Sequence, residues 1–209
     1  MKQNLRQLCA DNREFQVCFY DEPMCEQFIG QHFTDDVLRA YKRLVPNSYK
    51  SDLWRYCVLY VYGGIYIDIK FKCINGYRFI HLTDQEYFVR DIDASGGGIV
   101  NGLLIALPKS PFMFRAIRKV VSNVQTGYYG TSALLPTGPL LLKEVIDPTI
   151  QTQLSLVTLS IPGGRTIVYV MFRDHLILTY YREYRDEQAK HQDTQHYTVL
   201  WDKKQIYSL

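Results

Sequence analysis

Apolar positions recur at helical spacing in several stretches and cluster in short runs elsewhere, and that pattern sets the expected elements. Phe15–Tyr20 is a short apolar run that predicts a strand. Asp21 follows it as the N-cap of a helix to about His32, with Cys25, Phe28 and Ile29 on one face. Asp35 or Asp36 opens a second helix with Val37, Ala40, Tyr41 and Leu44 on its stripe, and Pro46-Asn47 ends it. Ser51 is the expected cap of a third helix, with Asp52 in its first turn, and Gly63-Gly64 stops it after Tyr62. Ile65–Asp68 reads as a short buried strand ending in a carboxylate. Glu86–Arg90 and Ile99–Ala106 read as strands separated by three glycines. Pro111 starts a helix to about Gln125, and Gly138-Pro139 leads into another ending near Ile146. Gln153–Leu159, Ile167–Phe172 and Leu176–Tyr180 are strands joined by turns at Pro162-Gly163-Gly164 and Arg173-Asp174.

Helices and strands thus alternate before strands cluster near the end. The expected class is α/β, a mixed and mostly parallel sheet flanked by helices. At 209 residues, residues 1–209 are read as a single domain, and that length buries enough core to fold without disulfides or metal. A net charge of +3 with no long basic run argues against a nucleic-acid partner. The five cysteines include no C-x-x-C pair and sit mostly among apolar neighbours, which suits reduced thiols in the cytoplasm. Apolar runs fall short of the roughly 20 residues of a membrane span. Met1–Asn12 is polar and unlike a leader peptide, so a cytoplasmic location is the expectation, a viral protein in a host cell included.

The chemistry concentrates in Ser51–Lys72. Asp52 and Arg55 lie three apart and share a helix face. The strand Ile65–Asp68 delivers Asp68 to its carboxyl end, where open α/β sheets bind ligands. Two carboxylates and a guanidinium suit a polyhydroxylated, phosphorylated ligand. The plain alternative is a helix ion pair beside a turn aspartate, and spacing alone favours it.

The stretch from Tyr49 to Asp68, YKSDLWRYCVLYVYGGIYID, resembles the signature of the DxD-type (glycosyltransferase family 32-like) sugar transferases. These include yeast mannosyltransferases, related bacterial and viral sugar transferases, and the glucosyltransferase domains of clostridial toxins. Asn101-Gly102 with Pro108–Phe112, the Thr137-Gly138-Pro139 turn and His196-Tyr197…Trp201 are similar to further motifs of that family, in the family's order.

The resemblance implies a GT-A-like, Rossmann-like nucleotide-sugar-binding fold and transfer of a hexose with retention. The donor would be a nucleotide-diphosphate sugar, a UDP sugar ahead of a GDP sugar, and the acceptor a glycan or protein. Carried over by position, Asp52 and Arg55 hold the donor sugar and Asn101 lies near the reaction centre. Asp68 is the first aspartate of the DxD motif and binds substrate and Mn²⁺. His196 takes the place of a C-terminal metal ligand, Trp201 closes over the diphosphate, and Lys203 or Lys204 reaches a phosphate.

Two departures stand out. The motif reads Asp68-Ile69-Lys70, and a lysine cannot ligate a metal at neutral pH. Three readings stay open: Lys70 neutralises the diphosphate itself, Mn²⁺ binds through Asp68, His196 and phosphate oxygens, or the chain is a noncatalytic nucleotide-sugar or glycan-binding domain. Second, no strand of the family's opening I-P-K-I-I-H-Q-x-W type precedes Phe15, so the expectation is a shortened relative or a fragment, with base recognition weak, rebuilt by Leu5–Cys9 or supplied elsewhere. Asp91-Ile92-Asp93 reads as a turn rather than a second DxD motif. His32, His81 and His175 read as surface or turn residues, and Arg182–His191 as a solvated helix or lid.

Overall fold

A computed structural model describes residues 1–91, 97–150, 153–162, 165–190 and 195–208. They group into two compact units. The first comprises Met1–Cys18, Ile65–Ile105 and Asp147–Gln192, and the second Phe19–Gly64, Ala106–Ile146 and Asp193–Leu209.

The first unit is built on a seven-stranded sheet. Its strands are β1 (Gly64–Ile67), β2 (Phe71–Cys73), β3 (Tyr87–Asp91), β4 (Gly98–Ala106), β5 (Leu154–Ile161), β6 (Arg165–Phe172) and β7 (His175–Tyr180), in the order β1-β4-β3-β5-β6-β7-β2. β3 and β5 run parallel, whereas β3–β4, β5–β6, β6–β7 and β2–β7 are antiparallel. The α/β class holds, but the expectation of a mostly parallel sheet is corrected. Only three residues separate β5 from β6 and two separate β6 from β7, which enforces antiparallel pairing, while parallel pairing needs a long crossover. Arg173 and Asp174 both take positive φ between β6 and β7, as a two-residue hairpin turn requires. Phe71, Leu82, Tyr87, Val89, Leu103, Leu154 and Val170 centre the core. Helix α1 (Lys2–Asp11) lies against β2, and Leu8 packs on this core. It occupies the Leu5–Cys9 stretch, and its polar residues hid the helix in the sequence. α7 (Tyr184–Ala189) falls within the charged stretch read as a solvated helix.

The second unit is helical: α2 (Glu22–His32), α3 (Asp35–Arg43), α4 (Asn47–Tyr62), α5 (Pro111–Thr126), α6 (Pro139–Val145) and α8 (Tyr197–Asp202). Asp21 caps α2 by accepting from the Met24 N–H, as the sequence predicts. Ser110 does the same for α5, whose end is closed by Gly127 in the left-handed region. Ile29, Leu53, Tyr56, Val120 and Leu141 lie at its core. The Phe15–Tyr20 run forms no strand. Tyr20 instead packs edge-on and tilted against Phe28 and Trp54, and Phe19 stays 63% exposed. α4 begins four residues before the expected Ser51 cap, because Pro46 supplies the carbonyl for the Tyr49 and Lys50 N–H groups. Asp52 therefore sits in the second turn.

The thiols of Cys25 and Cys73 are pushed up to about 11 by burial, which keeps them protonated and unreactive. Among the described residues, no helix is long and apolar enough to cross a membrane. Of Gly96-Gly97-Gly98, Gly96 lies outside the described residues, as do Ile92 and Asp93 of the Asp91-Ile92-Asp93 turn, while Gly97 takes positive φ and Gly98 opens β4. Gly30 interrupts α2, and a Cβ there would meet only Leu38, at 3.5 Å. Gly30→Ala is expected to stabilise the protein by about 0.5–1 kcal/mol, read as a higher urea midpoint at constant slope.

Candidate active site

In the second unit the site is built on α4. Asp52 and Arg55 are 7% and 6% exposed, burial that ionic side chains tolerate only when paired. Arg55 Nη2 lies 3.3 Å from Asp52 Oδ1, and Arg55 Nε donates to the Ser51 carbonyl at 3.0 Å. The other carboxylate oxygen, Oδ2, accepts the Thr137 hydroxyl at 2.7 Å. Thr137 is fully buried, and its carbonyl accepts the Tyr56 hydroxyl one turn further along α4. The turn before it is tied to α5 by Asn123, whose amide donates to the Pro136 carbonyl. The Thr137-Gly138-Pro139 turn is thus the element that orients Asp52. Sequence reading matched that turn to the family without giving Thr137 a role.

The α8 end of the same unit meets α4 through aromatic rings. Tyr197 packs on Tyr49, one turn before Asp52, and His196 packs on Tyr197. His196 is exposed and caps α8, its Nδ1 accepting from the Thr198 N–H and sharing a hydrogen with the Thr198 hydroxyl. Trp201 donates its indole N–H to the Tyr129 carbonyl at 2.8 Å. Lys204 lies over the rings of both Tyr129 and Trp201, at 4.5 and 4.7 Å. Lys203 is exposed at the C-cap.

In the first unit the DxD position is a turn between β1 and β2. The Asp68 N–H donates to the Gly102 carbonyl at 2.7 Å, which fixes the turn to β4 next to the buried Asn101. Asp68 Oδ1 accepts the Tyr66 hydroxyl at 2.9 Å, and Oδ2 faces Lys70 Nζ at 3.0 Å. Each carbonyl of the turn has a donor. Phe71 N–H reaches Asp68, Tyr181 N–H reaches Lys70, and the Asn4 side chain reaches both Ile69 and Phe71. Sequence reading missed Asn4, Tyr66 and the need for glycine at 102. Burial opposes the charge on Lys70, but the Asp68 carboxylate, with Tyr180, outweighs it and holds the ammonium above its ordinary pKa. The side chain remains 21% exposed.

This donor set does not fit a divalent metal. Both Asp68 oxygens already receive donors, one of them a cation. A doubly charged ion about 4 Å from the ammonium would meet a repulsion of about 8 kcal/mol at an effective dielectric of about 20. Among the described residues, no three His, Cys, Asp or Glu side chains gather to hold a metal.

Residues 1–89 match the family described as "Glycosyltransferase sugar-binding region containing DXD motif". The chain is 28% identical over 144 residues to mannosyl phosphorylinositol ceramide synthase CSH1 of Saccharomyces cerevisiae, covering 67% of this chain and 36% of that protein. It is 31% identical over 62 residues to an uncharacterized glycosyltransferase, L373, of Acanthamoeba polyphaga mimivirus, covering 30% of this chain and 25% of the viral one. The solved structure of PaToxG Glycosyltransferase superposes with a TM-score of 0.55 at 19% identity, over 69% of this chain and 62% of that one. The resemblance to the DxD sugar transferases is borne out, and the fold matches that solved structure, consistent with the GT-A-like class. The chain spans little more than a third of its yeast relative's length.

Proposed function

We propose that the chain is a retaining hexosyltransferase that moves a sugar from a nucleoside-diphosphate donor to a hydroxyl of a glycan or protein acceptor. The buried Asp52–Arg55 pair is the observation that supports this most. A buried ion pair contributes little net stability, so its presence on α4 is better explained by a ligand than by folding. Asp52 binds hydroxyls of the donor sugar, and Arg55 fixes the carboxylate in place. Trp201 and Lys203, in the same unit, complete the donor contacts.

The chemistry suits such groups. The bond from C1 to the diphosphate breaks as C1 gains positive character, and the departing diphosphate gathers negative charge that fixed donors stabilise. The acceptor oxygen bonds to C1 on the face the diphosphate leaves, and the departing phosphate oxygen takes its proton. No separate side-chain base is needed. The yeast relative's name supports including mannose among the hexoses to try, beside the sugars of UDP donors.

The pairing of Lys70 with Asp68 also favours a second reading, a noncatalytic domain that binds a nucleotide sugar or glycan. A panel of UDP and GDP sugars separates the two, with nucleoside diphosphate release and calorimetric binding measured on the same preparation. Release from one donor, above a no-enzyme blank, is the expected result. Binding without release would replace the transferase by the binding domain. Neither binding nor release would overturn both.

A further inference from the structure

We infer that the Lys70 ammonium takes the place of a metal ion in this chain, binding the donor's diphosphate directly and neutralising it as it leaves. The inference rests on the transferase reading and names how its leaving group is handled. By the sequence resemblance, Lys70 stands two residues after Asp68, where a D-x-D has its second aspartate, so a fixed cation stands in place of a carboxylate. The exchange is built into the turn. Tyr181 and Asn4 hold the backbone on both sides of the lysine, and Asp68 takes its Nζ at 3.0 Å. An ammonium has three N–H donors, so this contact leaves two for phosphoryl oxygens. Tyr180 and Phe71 wall the stem, with Nζ 5.1 and 5.5 Å from their ring centres, and confine the head group to one region. A positioned cation in a partly dry turn performs the charge neutralisation that a metal provides elsewhere, without an exchangeable ligand. Asp68 then acts as the anchor of Lys70 rather than as a metal ligand.

The test is calorimetric binding of UDP and GDP, and release of diphosphate from the active donor, each in EDTA and with Mn²⁺. Wild type is expected to bind and turn over equally well in both. Lys70→Ala should lose about 10- to 100-fold in nucleoside-diphosphate affinity, the worth of a charge-assisted hydrogen bond. Lys70→Arg should recover most of it, and Lys70→Asp should bind only with Mn²⁺. Lys72→Asp, an exposed charge change on β2, should behave as wild type and excludes a general field effect. Circular dichroism melts establish that each variant is folded. Wild-type binding that vanishes in EDTA, or unaltered binding by folded Lys70→Ala, would overturn the inference while leaving the transferase reading in place. A wild type that binds neither nucleotide under either condition would overturn both.

Discussion

Asp52→Asn should abolish donor turnover and remove a large share of the protein's stability. The two losses have separable causes. An amide oxygen still accepts the Thr137 hydroxyl, now made at 2.7 Å, so the turn it orients stays in place. What disappears is the charge opposite Arg55, 3.3 Å away and 6% exposed. Removing one member of a buried ion pair costs about 3–5 kcal/mol, to be read as a shift of the urea midpoint. Turnover should fall by about 100- to 1,000-fold or more, the scale for removing one fixed polar group at a reacting centre. Asp52→Asn with Arg55→Met separates the causes. Replacing both partners takes both charges out of the interior, so most of the stability should return while turnover stays lost. A folded Asp52→Asn protein with normal turnover would remove Asp52 from the donor site. Recovery of turnover in the double variant would make the pair purely structural.

Much of this was legible in the chain, for reasons that differ by element. Asp21, Pro111 and the two glycines after Tyr62 are local signals, and local signals act wherever the chain goes. The Asp52–Arg55 spacing shares a face in any helix, so that pair survived the error in where α4 begins. The strand at Phe15–Tyr20 failed because a strand is defined by its partner, and aromatic side chains packed into a helical layer read the same way in sequence. β2 was hidden because three residues carry no period. The sheet's direction was misjudged because alternating helices and strands suggest crossovers, while the final three strands are joined by turns too short to make them. The support of the site was least legible. Thr137 reaches Asp52 across 85 positions and Asn4 reaches the DxD turn across more than 60, contacts that no local pattern announces.

Gly102→Ala tests that hidden support, and its effect on turnover should rival that of losing Asp68 itself. A Cβ at 102 would stand 2.7 Å from Asp68 Oδ2, 3.2 Å from its Cγ and 3.0 Å from Phe71 Cε2. Phe71 is fully buried in the sheet core and cannot retreat. Asp68 is 26% exposed and can, so the strain moves the carboxylate. Its contacts with Tyr66 at 2.9 Å and Lys70 at 3.0 Å are the ones that give way. Crowding of this kind costs about 1–3 kcal/mol, a visible but survivable drop in the melting midpoint. The larger effect falls on Lys70, which loses the anion that aims it. Turnover well below the melting range should fall by at least about 100-fold, because small displacements of a positioned group weigh heavily on rate. Asp68→Ala in the Gly102→Ala background removes the clashing carboxylate. It should restore part of the stability and none of the turnover, a coupling that residues without contact would not show. If Gly102→Ala keeps wild-type turnover while its melting midpoint drops, the Asp68–Lys70 geometry does not govern the reaction, and glycine at 102 serves packing alone.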